Sequence, residues 1–174
     1  HKGCRSMENI VYPIYLIGMP GSGKSLIAKR LALQLGINAI DLDHEIEKNA
    51  HMFIHEIFET YGEATFRIKE TECLKNNSHK KAVIACGGGI ILNKVHKDIM
   101  KKGTIIYIMV DVEHIEARIQ YSQHRPLLKQ KSLKQLYDER MFKYLDFADT
   151  MISNEGHIDE TIDRTMTYLK GRNI

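Results

Sequence analysis

Gly18-Met19-Pro20-Gly21-Ser22-Gly23-Lys24-Ser25 is the stretch on which the reading of the chain turns. It fits G-x-x-x-x-G-K-[ST] at every fixed position. The apolar run from Ile10 to Ile17 precedes it, and a helical pattern from Ser25 to Leu35 follows, stopped by Gly36. Strand, glycine-rich loop and helix in that order make an anion site, because backbone N–H groups converge on phosphate oxygens at a helix N-terminus. In such a loop the lysine reaches the β- and γ-phosphates and the Ser/Thr hydroxyl ligates magnesium. Gly21, Ser22, Gly23, Lys24, Ser25 and Leu26 are therefore expected around the phosphates of a nucleotide. Lys24 is expected to be catalytic, and Ser25 to sit at Mg2+.

Outward from this loop, strand and helix patterns alternate. Short strands are expected at Ala39 to Leu42, Ala82 to Cys86, Thr104 to Val110 and Thr150 to Ser153. Helical stretches are expected from His44 to Asn76, Asn93 to Lys102, Asp111 to about Tyr121, Ser132 to Phe147 and Ile158 to Lys170. Pro13 interrupts the first strand, which is read as starting after it. Continuous apolar strands separated by helices indicate an α/β fold, a parallel sheet covered on both faces. The segment from Gln120 to Lys131 is polar and basic, has little apolar periodicity and reads as a mobile loop.

Of 174 residues, 43% are apolar and 27% charged, the balance of one ordinary globular domain. Residues 1–6, ahead of Met7, read as a remnant of an expression tag, with 7–174 as a single domain. Lys2 and Arg5 belong to that remnant, and without them 23 of the 25 basic residues face 22 acidic ones. That balance argues against nucleic acid or an anionic membrane as partner. Ile105 to Val110, the longest apolar stretch, has a strand's length and cannot span a membrane. Cys73 and Cys86, the two cysteines after Met7, fit neither a disulfide framework nor a zinc site. The expectation is a cytoplasmic protein with no signal peptide.

A phosphate loop does not by itself separate kinases from GTPases. Asn93-Lys94-Val95-His96 approaches the guanine motif N-K-x-D but lacks its aspartate and opens a helix. The strand that often ends in a metal-binding aspartate ends here in Gly87-Gly88-Gly89, so the metal carboxylate must come from elsewhere. Asp41 and Asp43 close the second strand, at the sheet end that faces the phosphate loop. If the strand continues that far, alternation puts both on one side. One would then hold metal-bound water and the other meet an acceptor hydroxyl; alternatively, Asp43 is only a helix cap. The three glycines would let a ligand lie against backbone N–H groups, unless they form a plain tight turn. His51 and His55 are spaced i, i+4 without an H-E-x-x-H motif, which suits a solvated or half-buried helix face better than a metal site.

Taken together and in order, these pieces resemble the shikimate kinases. The resemblance is carried by the phosphate loop, the Asp41-x-Asp43 pair, Ile57-Phe58-Glu59-Thr60-Tyr61-Gly62-Glu63-Ala64-Thr65-Phe66-Arg67, the Gly87-Gly88-Gly89 turn and Arg125-Pro126-Leu127. It implies a three-layer P-loop fold like that of nucleoside monophosphate kinases, with a five-stranded parallel sheet flanked by helices and a lid at about 120–131. A substrate-binding helical region would cover about 43–76. The implied reaction moves the γ-phosphoryl group of ATP to the 3-hydroxyl of shikimate, with Mg2+ as cofactor. By motif match Asp43, Arg67, Arg140 and the backbone of Gly87, Gly88 and Gly89 would bind shikimate, and Asp43 would also be catalytic. Asp41 would join Ser25 at the metal. Arg118 would approach ATP, and Arg125, catalytic and ATP-binding, would lie in the closing lid. A monomer is expected.

Shikimate carries a carboxylate and three hydroxyls. Arginines suit the former through bidentate, charge-assisted bonds. Arg67 lies between apolar Phe66 and Ile68, so its direction is open, and Glu70 at i+3 would either orient it or form a surface ion pair. The segment Asn154-Glu155-Gly156-His157, where an adenine loop should fall, lacks the proline expected there. Rival readings are a nucleoside monophosphate kinase, a gluconate-type kinase and an ATP-binding regulatory module without turnover. The first would show a more basic acceptor site and no glycine triplet. The last would not need Asp43, Arg67 and Arg140 together.

Overall fold

The structure, a computed structural model, describes residues 9–119 and 132–171, with side chains 118 and 119 excepted. Among the described residues, β1 (Ile14–Ile17), β2 (Asn38–Asp41), β3 (Ala82–Ala85), β4 (Thr104–Met109) and β5 (Thr150–Ser153) form one sheet. The strands run parallel in the order β2-β3-β1-β4-β5. The connecting helices are α1 (Lys24–Leu35), α2 (Leu42–Ala50), α3 (Ile54–Tyr61), α4 (Glu63–Asn77), α5 (Lys94–Met100), α6 (Val112–Ile119), α7 (Leu133–Phe147) and α8 (Ile158–Gly171). A single 3-10 turn, Ile90–Leu92, follows the glycines. None of the described helices is long and apolar enough to cross a membrane.

Both sheet faces are covered, which is why the strands read as unbroken apolar runs. Side chains alternate along β1: Ile14 and Leu16 pack with Ile27 and Leu31 of α1 and Ile162 and Met166 of α8. Tyr15 and Ile17 point the other way, into a core shared with α2, α3, α4 and α7. The sheet thus separates two apolar layers and holds the ends of β1, β2 and β3 at one edge.

β1 starts at Ile14, directly after Pro13, as expected from the missing proline donor, while other boundaries move. The stretch read as helical from His44 to Asn76 is three helices, broken at His51 and Gly62. His51 caps α2 in the left-handed region with φ 54°, outside the helix, while His55 lies in α3, so the two share no helix face. β2 ends at Asp41, and Leu42 already opens α2, so the alternation expected to align Asp41 with Asp43 along a strand does not apply. The helix cap is Asp41, whose carboxylate accepts from the His44 N–H at 3.2 Å, and Asp43 lies in the first turn.

Leu31 is fully buried between α1 and the sheet, two turns beyond Lys24. Leu31→Ala is expected to cost about 2–5 kcal/mol of unfolding free energy through lost burial and the cavity left behind. Urea denaturation measures this; a loss under about 1 kcal/mol would show that α1 is not anchored as described.

Candidate active site

The phosphate loop leaves β1 at Gly18 (φ 151°), where a β-carbon would stand 2.5 Å from the Ile108 carbonyl oxygen. It ends at Gly23 (φ 92°), the left-handed residue that starts α1. Lys24, only 9% exposed, donates from Nζ to the carbonyl oxygens of Gly18 at 2.7 Å and Met19 at 2.9 Å. These bonds hold the ammonium inside the curl of the loop and offset the cost of burying it. Ser25 Oγ donates to Asp41 Oδ2 at 2.6 Å, so the end of β2 and the start of α1 meet through that bond. A hydroxyl beside a carboxylate is a hard-oxygen pair that suits Mg2+.

A cleft of about 500 Å³ lies over the loop, lined among others by Lys24, Ser25, Asp41, Asp43, Gly87 and Gly88. The glycine turn forms its far wall, and a different residue presses on each glycine. A β-carbon on Gly87 would fall 2.5 Å from Asp43 Oδ1. On Gly88 it would fall 2.8 Å from Pro20 Cδ and 3.2 Å from Arg140 Nη1. On Gly89 it would fall 2.5 Å from both Nη1 and Nη2 of Arg67. Asp43, Arg140 and Arg67, from three separate helices, therefore converge on one bare stretch of backbone.

Charge and burial tune this cluster. Arg140 is 3% exposed and Glu70 only 1%. Arg67 Nη1 donates to both Glu70 oxygens, at 3.1 and 3.2 Å, and Nη2 to Glu63 at 3.3 Å. Burial pushes the Glu70 carboxyl up, while the guanidiniums of Arg67 and Arg140 pull it down. Glu70 thus orients Arg67 from inside the protein and is no surface pair. Arg67 Nε is buried and has no hydrogen-bond partner among the described residues. Tyr144, one helical turn beyond Arg140 on α7, donates to the Gly88 carbonyl oxygen at 2.6 Å and bonds the Arg140 side chain. Its phenol, raised to about 12 mainly by burial, stays protonated and able to donate.

The structure brings Lys24, Ser25, Asp41, Asp43, Arg67, Arg140 and the three glycines to one region. Arg125 lies outside the described residues, as does the Arg118 side chain. Two contributors were missed from the sequence. Tyr144 had a signal, its i+4 spacing from Arg140. Asn154 was read only as the start of the segment where an adenine loop should fall, and its structural role was missed: it is 6% exposed, donates to the Ser22 carbonyl at 2.9 Å and accepts from Thr161 Oγ1 at 2.8 Å, tying the segment after β5 to the phosphate loop. Cys86 beside the glycines is buried, which raises its thiol well above the usual range, so it packs and does not react.

Comparison with known proteins agrees with this geometry. The family model described as Shikimate kinase matches residues 20–170. The chain is 40% identical to a shikimate kinase of Clostridium botulinum, over 97% of this chain and all of that one. It is 35% identical to a bifunctional shikimate kinase/3-dehydroquinate synthase of Thermotoga maritima over 82% of its length, and it spans 30% of that longer protein. The solved shikimate kinase of Acinetobacter baumannii in complex with shikimate superposes with a TM-score of 0.90 at 31% identity, covering 98% of both chains.

Gly89→Ala is expected to fold but to displace the Arg67 guanidinium, and Gly87→Ala to displace Asp43. A shift of about 1 Å at such a site costs on the order of a hundredfold in turnover. Steady-state phosphoryl transfer, with circular dichroism as the folding control, measures it. Full activity in both variants would mean that the close approach carries no function.

Proposed function

The chain belongs to the shikimate kinase family, and from that premise we propose that its glycine turn and surrounding side chains bind shikimate while the phosphate loop presents ATP. The reaction transfers the γ-phosphoryl group of ATP to the 3-hydroxyl of shikimate, giving shikimate 3-phosphate and ADP, a step toward chorismate and the aromatic amino acids. The observation that carries the site assignment is the convergence of Asp43, Arg67 and Arg140 on Gly87–Gly89 beside the phosphate loop.

In this reading the shikimate carboxylate lies between Arg67 and Arg140. Glu70 fixes one edge of Arg67 and leaves the buried Nε to donate. Backbone N–H groups of the glycine turn meet the ring hydroxyls, which only a surface free of side chains permits. Asp43 accepts the bond from the 3-hydroxyl, aligns its oxygen with the γ-phosphorus and takes the proton as the new P–O bond forms and the bond from the γ-phosphorus to the leaving ADP oxygen breaks. Lys24 turns from its carbonyl partners to the phosphoryl oxygens, where charge is spread in the transition state. Ser25 and Asp41, already bonded to each other, would hold a magnesium ion, which would supply charge neutralisation for the phosphoryl groups. Arg125 and Arg118 are assigned to ATP by motif alone, Arg125 as a cation for the transferred group. The shared work is positioning and electrostatics, as a loose phosphoryl-transfer transition state demands.

A coupled ADP-release assay over shikimate, gluconate, AMP, CMP and UMP tests the reading. Shikimate is expected to be turned over at least about a hundredfold more efficiently than the others: the nucleotides bring no carboxylate to the arginines, and gluconate brings one on an open chain that does not set ring hydroxyls against the glycine turn. Arg67→Ala and Arg140→Ala should each raise the shikimate KM by tenfold or more with the ATP KM nearly fixed, since losing one partner of a buried pair costs about 2–5 kcal/mol. Turnover of a nucleotide acceptor in preference to shikimate would overturn the assignment.

A further inference from the structure

His96 is fully buried, yet its ring touches no part of the cleft described above. Its Nδ1 lies 2.7 Å from the Ile90 carbonyl oxygen, one residue past the glycine turn. Its Nε2 lies 2.6 Å from Thr71 Oγ1. Thr71 Oγ1 in turn is 3.0 Å from the carbonyl oxygen of Arg67, four residues back on α4. The single Thr71 hydroxyl proton serves Nε2 or the Arg67 carbonyl, not both; with Nδ1–H on Ile90 it goes to Nε2, and the ring then ties α4, at Thr71 one helical turn past Arg67, to the backbone that follows Gly89.

We propose that His96 is a positioning residue for the acceptor site, holding the Arg67 turn of α4 at a fixed distance from the glycine turn through Thr71 and Ile90. The chemistry of the ring explains the choice. A carbonyl only accepts, so Nδ1 carries the proton, and in the neutral ring Nε2 accepts the Thr71 hydroxyl proton. Burial and the nearby Arg67 and Lys75 charges keep the ring neutral by lowering its affinity for a proton. A neutral imidazole is thus satisfied at both nitrogens on two different elements, α4 and the 3-10 turn, which a carboxylate at this position would not be. The aspartate that a guanine motif would require here could not donate to Ile90. Tolerances around Arg67 make such a brace consequential, because the guanidinium already stands 2.5 Å from where a Gly89 β-carbon would lie. Any sliding of α4 moves the cation against or away from that backbone.

This inference rests on Arg67 serving the acceptor, so the test carries Arg67→Ala alongside. Thr71→Val removes the hydroxyl at constant shape. His96→Asn keeps a donor at the Nδ1 position for Ile90 but cannot reach Thr71. Both are assayed for KM of shikimate and of ATP, for kcat and for thermal melting. The expected result is a shikimate KM raised about fivefold or more in each, an ATP KM within about twofold and a melting temperature close to wild type for Thr71→Val. The double variant should lose little beyond His96→Asn alone, since the two changes cut one chain. Thr71→Val keeps the proposal testable should His96 variants fold poorly. If Arg67→Ala raises the shikimate KM while Thr71→Val and His96→Asn leave it within about twofold, the brace is overturned and the site assignment survives. An unchanged KM in Arg67→Ala overturns the assignment, and the brace with it. A parallel rise of both KM values would make His96 a general packing residue and equally overturn the proposal.

Discussion

A β-carbon at Gly87, Gly88 or Gly89 would displace Asp43, Pro20 or Arg67, and the side chains of Asp43, Arg67 and Arg140, from α2, α4 and α7, press on this turn from different directions. That exclusion is the constraint around which the rest of the site is arranged. Two arginines are held there, one 3% exposed and the other tied to a buried glutamate. Buried charge of this kind is costly unless bonded on all sides. Glu70 and Tyr144 supply part of the bonding from within the protein. In the reading proposed above, the acceptor carboxylate supplies the rest and the bare backbone takes the acceptor hydroxyls.

The sheet order explains why this turn faces a phosphate loop. β1 sits in the middle, and the chain passes from it to β2 and β3 on one side before crossing to β4 and β5 on the other. The strand ends next to the point where the order reverses form the natural ligand crevice. The β2–β3 register sets Asp41 level with Ala85, so the carboxylate that bonds Ser25 and the glycines that follow Cys86 emerge at the same height. The phosphate loop, the Ser25–Asp41 pair and the glycine turn are consequently set beside one another by one run of backbone pairing.

Much of this was legible from residue order. The phosphate loop announces itself because its glycines answer a conformational demand, with Gly23 at φ 92°. β5 was read to the residue, since Thr150–Ser153 is short and bounded by polar turns. The Asp41–Asp43 pair was legible as a pair but misread as to mechanism. Strand periodicity was carried one residue too far, whereas Asp41 bonds to the His44 amide and starts a helix there. The break at His51 was hidden because a left-handed histidine carries no glycine signature. Tyr144 was within reach of the sequence through its i+4 spacing from Arg140, but the partners of Tyr144 and Asn154, 56 and 132 residues away, are reported by no local pattern.

The central claim is that the acceptor is recognised through its carboxylate at the glycine turn. Titration calorimetry of shikimate and of its neutral carboxamide, each in the presence of ADP, tests it directly. Charge-assisted hydrogen bonds contribute about 1.5–3 kcal/mol, so the account predicts that the carboxamide binds at least tenfold more weakly. Equal affinity for the acid and the amide would contradict it.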